Sequence, residues 1–225
     1  MPNIRLQDVT AIINGTSQYN SNAFDTCHVE MLLVTDEAIP PETGWYVPLQ
    51  NGSTVPPIIM EIFKLSNLQM YPQNESTITK GVEDAKEQAL AGNTQGVFDD
   101  MSKLLLISLL KKMSLVPVNG STNTYMLQYD YKLFPIKDVQ IPTYQFYVQL
   151  PFDTLTLVTG GRIQCTVLTP INSIIDSEST KGTIFNNGTP SGNIEEQTTR
   201  AEASKRPVVS FEYQNDPLFV VQYHY

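Results

Sequence analysis

The chain has 225 residues, with 23 acidic against 14 basic side chains and a net charge of −9. Charged residues make up only 16%, against a usual share of ~25%, while 41% are hydrophobic, enough to build a core. These figures exclude a disordered chain, and the absence of Lys/Arg clusters excludes a nucleic-acid binder, which needs them to displace counterions.

In chain order, the first portion reads as strands: Ile4–Ile13, His28–Thr35, Trp45–Leu49 and Ile58–Leu65. Pro40-Pro41 and Pro56-Pro57 interrupt them, since proline cannot donate to a ladder. Trp45–Gln50, Asn51-Gly52 and Ser53–Val55 match a hairpin with a two-residue turn. Residues 1–75 carry eight acids against two bases, an imbalance expected on a solvated face.

Residues 76–114 change character: Glu, Lys, Ala and Leu rise and β-branched residues thin out. A helical insertion is expected here. Val82–Ala91 predicts a short polar helix with Gly92-Asn93 as its stop. Val97–Met113 predicts a second, with Asp99 and Asp100 in its first turn and Lys111 and Lys112 in its last, complementing the macrodipole. Leu104–Leu110 is the longest apolar run and is too short to cross a bilayer.

The third portion returns to period 2. In Thr124–Phe134, Tyr125, Leu127, Tyr129, Tyr131 and Leu133 alternate with Met126, Gln128, Asp130 and Lys132, the pattern of a strand with one buried face. Leu115–Val118, Asn119-Gly120 and this strand predict a hairpin. Tyr144, Phe146, Val148 and Leu150 repeat the pattern, as do Phe219, Val221, Tyr223 and Tyr225. Thr154–Thr159 and Arg162–Leu168 predict a hairpin closed by Gly160-Gly161, and Val208–Tyr213 with Leu218–Tyr225 predict a final pair. Between them, residues 172–206 are rich in Ser, Thr, Asn and Gly. They are expected to form a long polar loop or arm, either mobile or ordered on a neighbouring subunit. Its apolar residues Ile174, Ile175, Ile184 and Phe185 are the candidate interface anchors.

Chemistry-bearing residues are few. In a strand, Cys27 and His28 point to opposite faces and form no local dyad. Cys165 and His224 could meet only through the fold. Two Cys and two His spread along the chain do not supply a zinc site. Asp36-Glu37, Asp99-Asp100 and Glu195-Glu196 are adjacent acids of the kind that face solvent. Glycosylation-type triplets start at Asn14, Asn51, Asn74, Asn119 and Asn187; four of the five contain Asn-Gly, which turn geometry explains. Trp45-Tyr46, Tyr144/Tyr147 and Tyr223/Tyr225 could pack a sheet, fill an interface or line a sugar-binding surface.

The expectation is therefore a single mainly β domain over residues 1–225, an antiparallel β-sandwich or jelly-roll-like barrel with a two-helix insertion. No catalytic, cofactor or metal residue is assigned, and no enzyme is expected. The expected function is structural, a subunit of a symmetric assembly such as a virus or phage virion: capsid-decorating, connector, collar or fibre-attachment. Its partners would be copies of itself and other subunits, not nucleic acid or membrane, and no signal peptide is expected. It would reside in the virion after synthesis in the host cytoplasm. The alternatives are a carbohydrate-binding or adhesin-like module and, third, a hydrolase on a β scaffold.

Overall fold

The computed structural model describes residues 2–41, 43–48, 73–98, 110–136, 140–148, 157–186, 189–194, 196–201, 203–213 and 217–225. Its strands are β1 (Ile4–Asn14), β2 (Asp25–Thr35), β3 (Gly44–Pro48), β4 (Gln73–Asn74), β5 (Leu110–Ser114), β6 (Val116–Pro117), β7 (Thr124–Leu133) and β8 (Thr143–Val148). They continue with β9 (Leu157–Leu168), β10 (Ile174–Ile175), β11 (Lys181–Asn186), β12 (Thr189–Ile194), β13 (Gln197–Ala201), β14 (Arg206–Tyr213) and β15 (Pro217–His224). The chain is mainly β, and no sheet closes into a barrel among the described residues, so the barrel alternative is not met.

Seven strands form the largest sheet, in the order β13-β14-β9-β1-β2-β7-β6. Strict alternation puts Val9, Ala11 and Ile13 of β1, Cys27, Val29, Met31 and Leu33 of β2, and Tyr125 to Leu133 of β7 on one buried face. In the second sheet β15 is central. It pairs with β8 on one side and with β10 and β11 on the other, and β12 lies beyond β11. Phe219, Val221 and Tyr223 of β15 and Tyr144, Phe146 and Val148 of β8 are buried with the larger sheet's apolar face in one cluster. The rings of Phe211 on β14 and Phe219 lie 4.9 Å apart, a contact worth ~0.5–1.5 kcal/mol beyond area burial. A third, small sheet runs β4-β3-β5 and buries Trp45 and Val47 in the same cluster.

Several expectations are corrected. β1 and β9 pair in parallel, Val9 opposite Cys165, so the sheets are not purely antiparallel. Side-chain alternation reports which face a residue takes and is silent on strand direction. Gly160-Gly161 closes no hairpin, because β9 runs through it. The parallel register jumps from Ile4 opposite Leu157 to Leu6 opposite Arg162, leaving an irregular bulge. Gly160 takes φ +80°, and a Cβ on Gly161 would sit 2.9 Å from the Ile4 carbonyl oxygen. Glycine serves here for close backbone approach rather than for a turn. β14 and β15 are not a pair: β14 lies between β13 and β9, and β15 belongs to the other sheet. A short connection can cross between sheets as well as turn within one.

The insertion is part helix and part strand. A helix runs Glu75–Leu90, seven residues longer at its start than composition predicts, and stops at Gly92 with φ +70°. Residues 94–98 begin another helical turn. Leu110–Met113, expected to close the second helix, instead lies in β5 against β3, with Met113 opposite Trp45. A short apolar run followed by two lysines fits either structure. Pairing with β3 decides for strand, and it sets the Lys112 ammonium 5.9 Å from the Tyr46 ring centre. Trp45–Pro48 lies in strand β3 as expected, while the Asn51-Gly52 turn, its Ser53–Val55 arm and the Ile58–Leu65 strand lie outside the described residues.

Nor are residues 172–206 a free arm. β10, β11 and β12 are built into the second sheet and β13 into the first. Backbone pairing does not require apolar side chains, so a Ser/Thr/Asn-rich segment joins a sheet when its flanks are already there. The Leu115–Val118/Thr124–Phe134 hairpin forms as expected, with Val116 opposite Met126 and Gly120 at φ +83°.

Candidate functional site

β2 and β7 bring polar side chains to both faces of the large sheet. On the buried face, the first residue of β2, Asp25, is fully enclosed. One carboxylate oxygen accepts the Ser17 amide at 2.8 Å, from a 3-10 turn at Thr16–Tyr19. The other accepts the hydroxyls of Tyr223 at 2.7 Å and Tyr225 at 2.8 Å. Tyr144 stacks on Tyr223 with ring centres 5.4 Å apart and donates to the Asn22 carbonyl. Burial pushes the Tyr223 and Tyr225 phenols up, and the neighbouring carboxylate pushes the same way. Both hydroxyls therefore stay protonated at neutral pH and remain donors. The buried carboxyl is thus satisfied by donors rather than by a counter-ion. The knot ties β2 to β15 across the interior.

On the opposite face, His28 of β2 stands across from Asp130 of β7. Its Nδ1 lies 2.7 Å from the Asp130 carboxylate, and its Nε2 is 3.5 Å from Glu30. Gln128 donates to Glu30 at 2.6 Å. The Asp130 hydrogen bond raises the His28 pKa from its ordinary value, and Glu30 adds to the shift. Asn14, Thr26, His28, Asp130 and Lys132 border an open depression of about 310 Å³. The outward positions of β2 and β7 here carry Thr26, His28, Glu30, Gln128, Asp130 and Lys132. The aromatics Phe24 and Phe134 stand beside them, edge to face at 6.1 Å, with the Lys132 ammonium 4.2 Å over Phe24. The array of aromatics that a sugar-stacking platform needs is not on these positions.

Cys27 and Cys165 are buried, free thiols. Desolvation pushes both far above the thiol range, the setting of an inert cysteine rather than a nucleophile. Cys27 faces the core while His28 faces out, as alternation predicts. Cys165 lies opposite Val9, whereas Cys27 lies opposite Ile13 two strands away. His224 sits on the other sheet, between Thr143 and Ile174.

The expected interface residues fall on one side of β15. Ile174 lies opposite His224 and is 51% exposed, while the half-buried Ile175, opposite Tyr223, packs on the core. Ile184 lies between Pro217 and Gly192, and Phe185 opposite Pro190. β10 and β11 are separated by residues 176–180, which hold a polar network that sequence reasoning did not single out. Gln222 donates to Asp176 at 2.6 Å and accepts from Gln145, and Tyr147 donates to Gln145. Its only sequence signal is Gln at the outward positions of two neighbouring strands. The Asp25 knot was also missed, although period 2 places Asp25 in register with Cys27, Val29 and Met31. A carboxylate in line with an apolar face was the available sign. Compared with known proteins, the chain matches no protein-family model and no curated protein.

Proposed function

We propose that the chain is a structural subunit of a symmetric assembly, a virion component of the capsid-decorating, connector, collar or fibre-attachment kind. Its architecture is read as a β-sandwich, in which Phe211 against Phe219 and Asp25 against Tyr223 join two facing sheets. One observation carries the functional reading: four large apolar side chains stand exposed at the end of the molecule that encloses Asp25. Tyr19 is 91% exposed, Ile141 55%, Ile174 51% and Ile171 48%. Register and one hydrogen bond bring the segments that carry them to the same end. Ile174 and Thr143 flank His224 on either side, Ile141 precedes Thr143 by two residues, and Gln18 donates to the Ile171 carbonyl. Apolar groups gathered on a surface mark an interaction site. A rigid, hydrogen-bonded base beneath them lowers the ordering cost of binding.

The test is mass in solution together with the native complex. Sedimentation of the wild-type chain should give a species heavier than one copy, or the chain should co-purify with other virion subunits. Ile174→Asp with Ile171→Asp should reduce it to monomer with an unchanged circular dichroism spectrum. A wild-type chain that stays monomeric at high concentration and binds no particle component overturns the reading. A carbohydrate-binding module stands second, favoured by the depression beside His28 and Asp130. Specific binding on a glycan array, lost in Asp130→Ala, would put it first.

A further inference from the structure

The chain holds four Asn-Gly pairs, and two of them, Asn14-Gly15 and Asn119-Gly120, are described in opposite settings. We propose that Asn119 is a site of spontaneous backbone modification, through a succinimide formed with Gly120, and that the fold protects Asn14 from the same reaction. In this chemistry the Gly120 amide nitrogen loses its proton to solvent base and attacks the Asn119 side-chain carbonyl carbon. A C–N bond forms, the carboxamide C–N bond breaks, and the departing NH2 group takes up a proton and leaves as ammonia. One water then opens the ring at either carbonyl. The products are aspartate, or isoaspartate with the main chain rerouted through the side chain, and each adds one negative charge.

The reaction needs a side chain and an amide that are free to approach each other. Asn119 and Gly120 are exposed at the tip of the β6–β7 hairpin. A Cβ on Gly120 would have nothing within 4 Å. Among the described residues neither the Asn119 side chain nor the Gly120 amide has a hydrogen-bond partner. The turn is fastened below the tip, where the Val118 amide donates to Thr124 and Asn123 bonds both ways with Thr35. Local motion can therefore bring the pair together without opening the sheet.

Asn14 also has an exposed side chain, but its backbone closes the β1 ladder opposite Thr26. Gly15 is half-buried and crowded: a Cβ there would lie 2.7 Å from the Tyr225 hydroxyl, 2.8 Å from Gln18 Nε2 and 3.1 Å from Pro170. Swinging the Gly15 amide onto Asn14 requires those groups to part first. The new charge at Asn119 would arise near Val116, Val118 and Met126, all exposed, so modification changes the character of that surface as the protein ages.

Peptide mapping by tandem mass spectrometry after incubation of the folded protein at mildly alkaline pH tests this. Conversion at Asn119 should outpace that at Asn14 by about tenfold or more, the factor that corresponds to ~1.4 kcal/mol of local opening. In denaturant the two sites should convert at similar rates. Asn119→Gln, which closes the ring poorly, should remove the fast product and leave the melting temperature unchanged. Equal rates at the two sites in the folded protein would overturn the proposal. So would an Asn119 rate far below its rate in denaturant.

Discussion

Asp25 and Asp130 sit on neighbouring strands of one sheet; β2 and β7 together turn Asp25 to the inner face and Glu30 and Asp130 to the outer one. Asp25, on the inner face, has no solvent and three donors. Asp130, on the outer face, has about half its side chain in water and a histidine beside it. The same chemical group is thus a fixed joint on one side and a titratable contact on the other. The difference comes from burial alone. In the interior an unpaired charge is intolerable, so the donors must be present for the fold to exist. At the surface, water replaces any lost partner at little cost.

The sharpest way to break this contrast is Asp25→Ala. It strands the buried Tyr223 hydroxyl, the half-buried Tyr225 hydroxyl and the Ser17 amide, and should cost about 3–5 kcal/mol of unfolding free energy, read from urea titration. An unchanged midpoint would mean that water reaches the knot and that Asp25 is no more structural than Asp130. Tyr223→Phe removes one donor and keeps the ring stacked on Tyr144, so about 1.5–3 kcal/mol is expected. If Asp25→Ala and Tyr223→Phe cost the same amount, the two groups act as one unit, and the loss in the double variant will fall short of the sum.

Which parts of this arrangement are legible without coordinates follows from what alternation encodes. The faces of Thr124–Leu133 and Leu218–His224 are read correctly, residue by residue, because period 2 is a property of the strand itself. The partners of those strands are not, because pairing depends on the whole sheet. β14 and β15 follow one another yet part between two sheets, and β9 finds β1 in parallel from the far end of the chain. Residues 172–206 show the same limit from the other side. Their polar composition says that they cannot make a core of their own, and from that alone an arm is expected. It does not say that β15 and β14 offer unfilled edges for β11 and β13 to pair with. At the site, the Tyr223/Tyr225 pair was visible as aromatics. Its role was not, since the carboxylate that orients both hydroxyls lies almost two hundred residues away.

The smallest expected effect concerns the outer carboxylate. The Asp130 hydrogen bond raises the folded-state pKa of His28 above its unfolded value, ordinarily near 6.5. The sign follows: the contribution of the pair to stability is complete below about pH 6.5. It declines as the pH rises through the folded-state pKa, because the imidazolium that the carboxylate favours is then lost. Both groups are well exposed, so the magnitude should stay below about 1 kcal/mol. The direct measurement is the pH titration of the His28 ring protons by NMR, with His224 as the internal comparison. The His28 midpoint should lie above the ordinary histidine value and fall in Asp130→Asn, with the remainder of the shift held by Glu30. Asp130→Asn should leave the urea midpoint nearly unmoved at neutral pH, in contrast to Asp25→Ala. A large loss of stability in Asp130→Asn would show that the outer face is as constrained as the core, and the division of roles between the two carboxylates would fail.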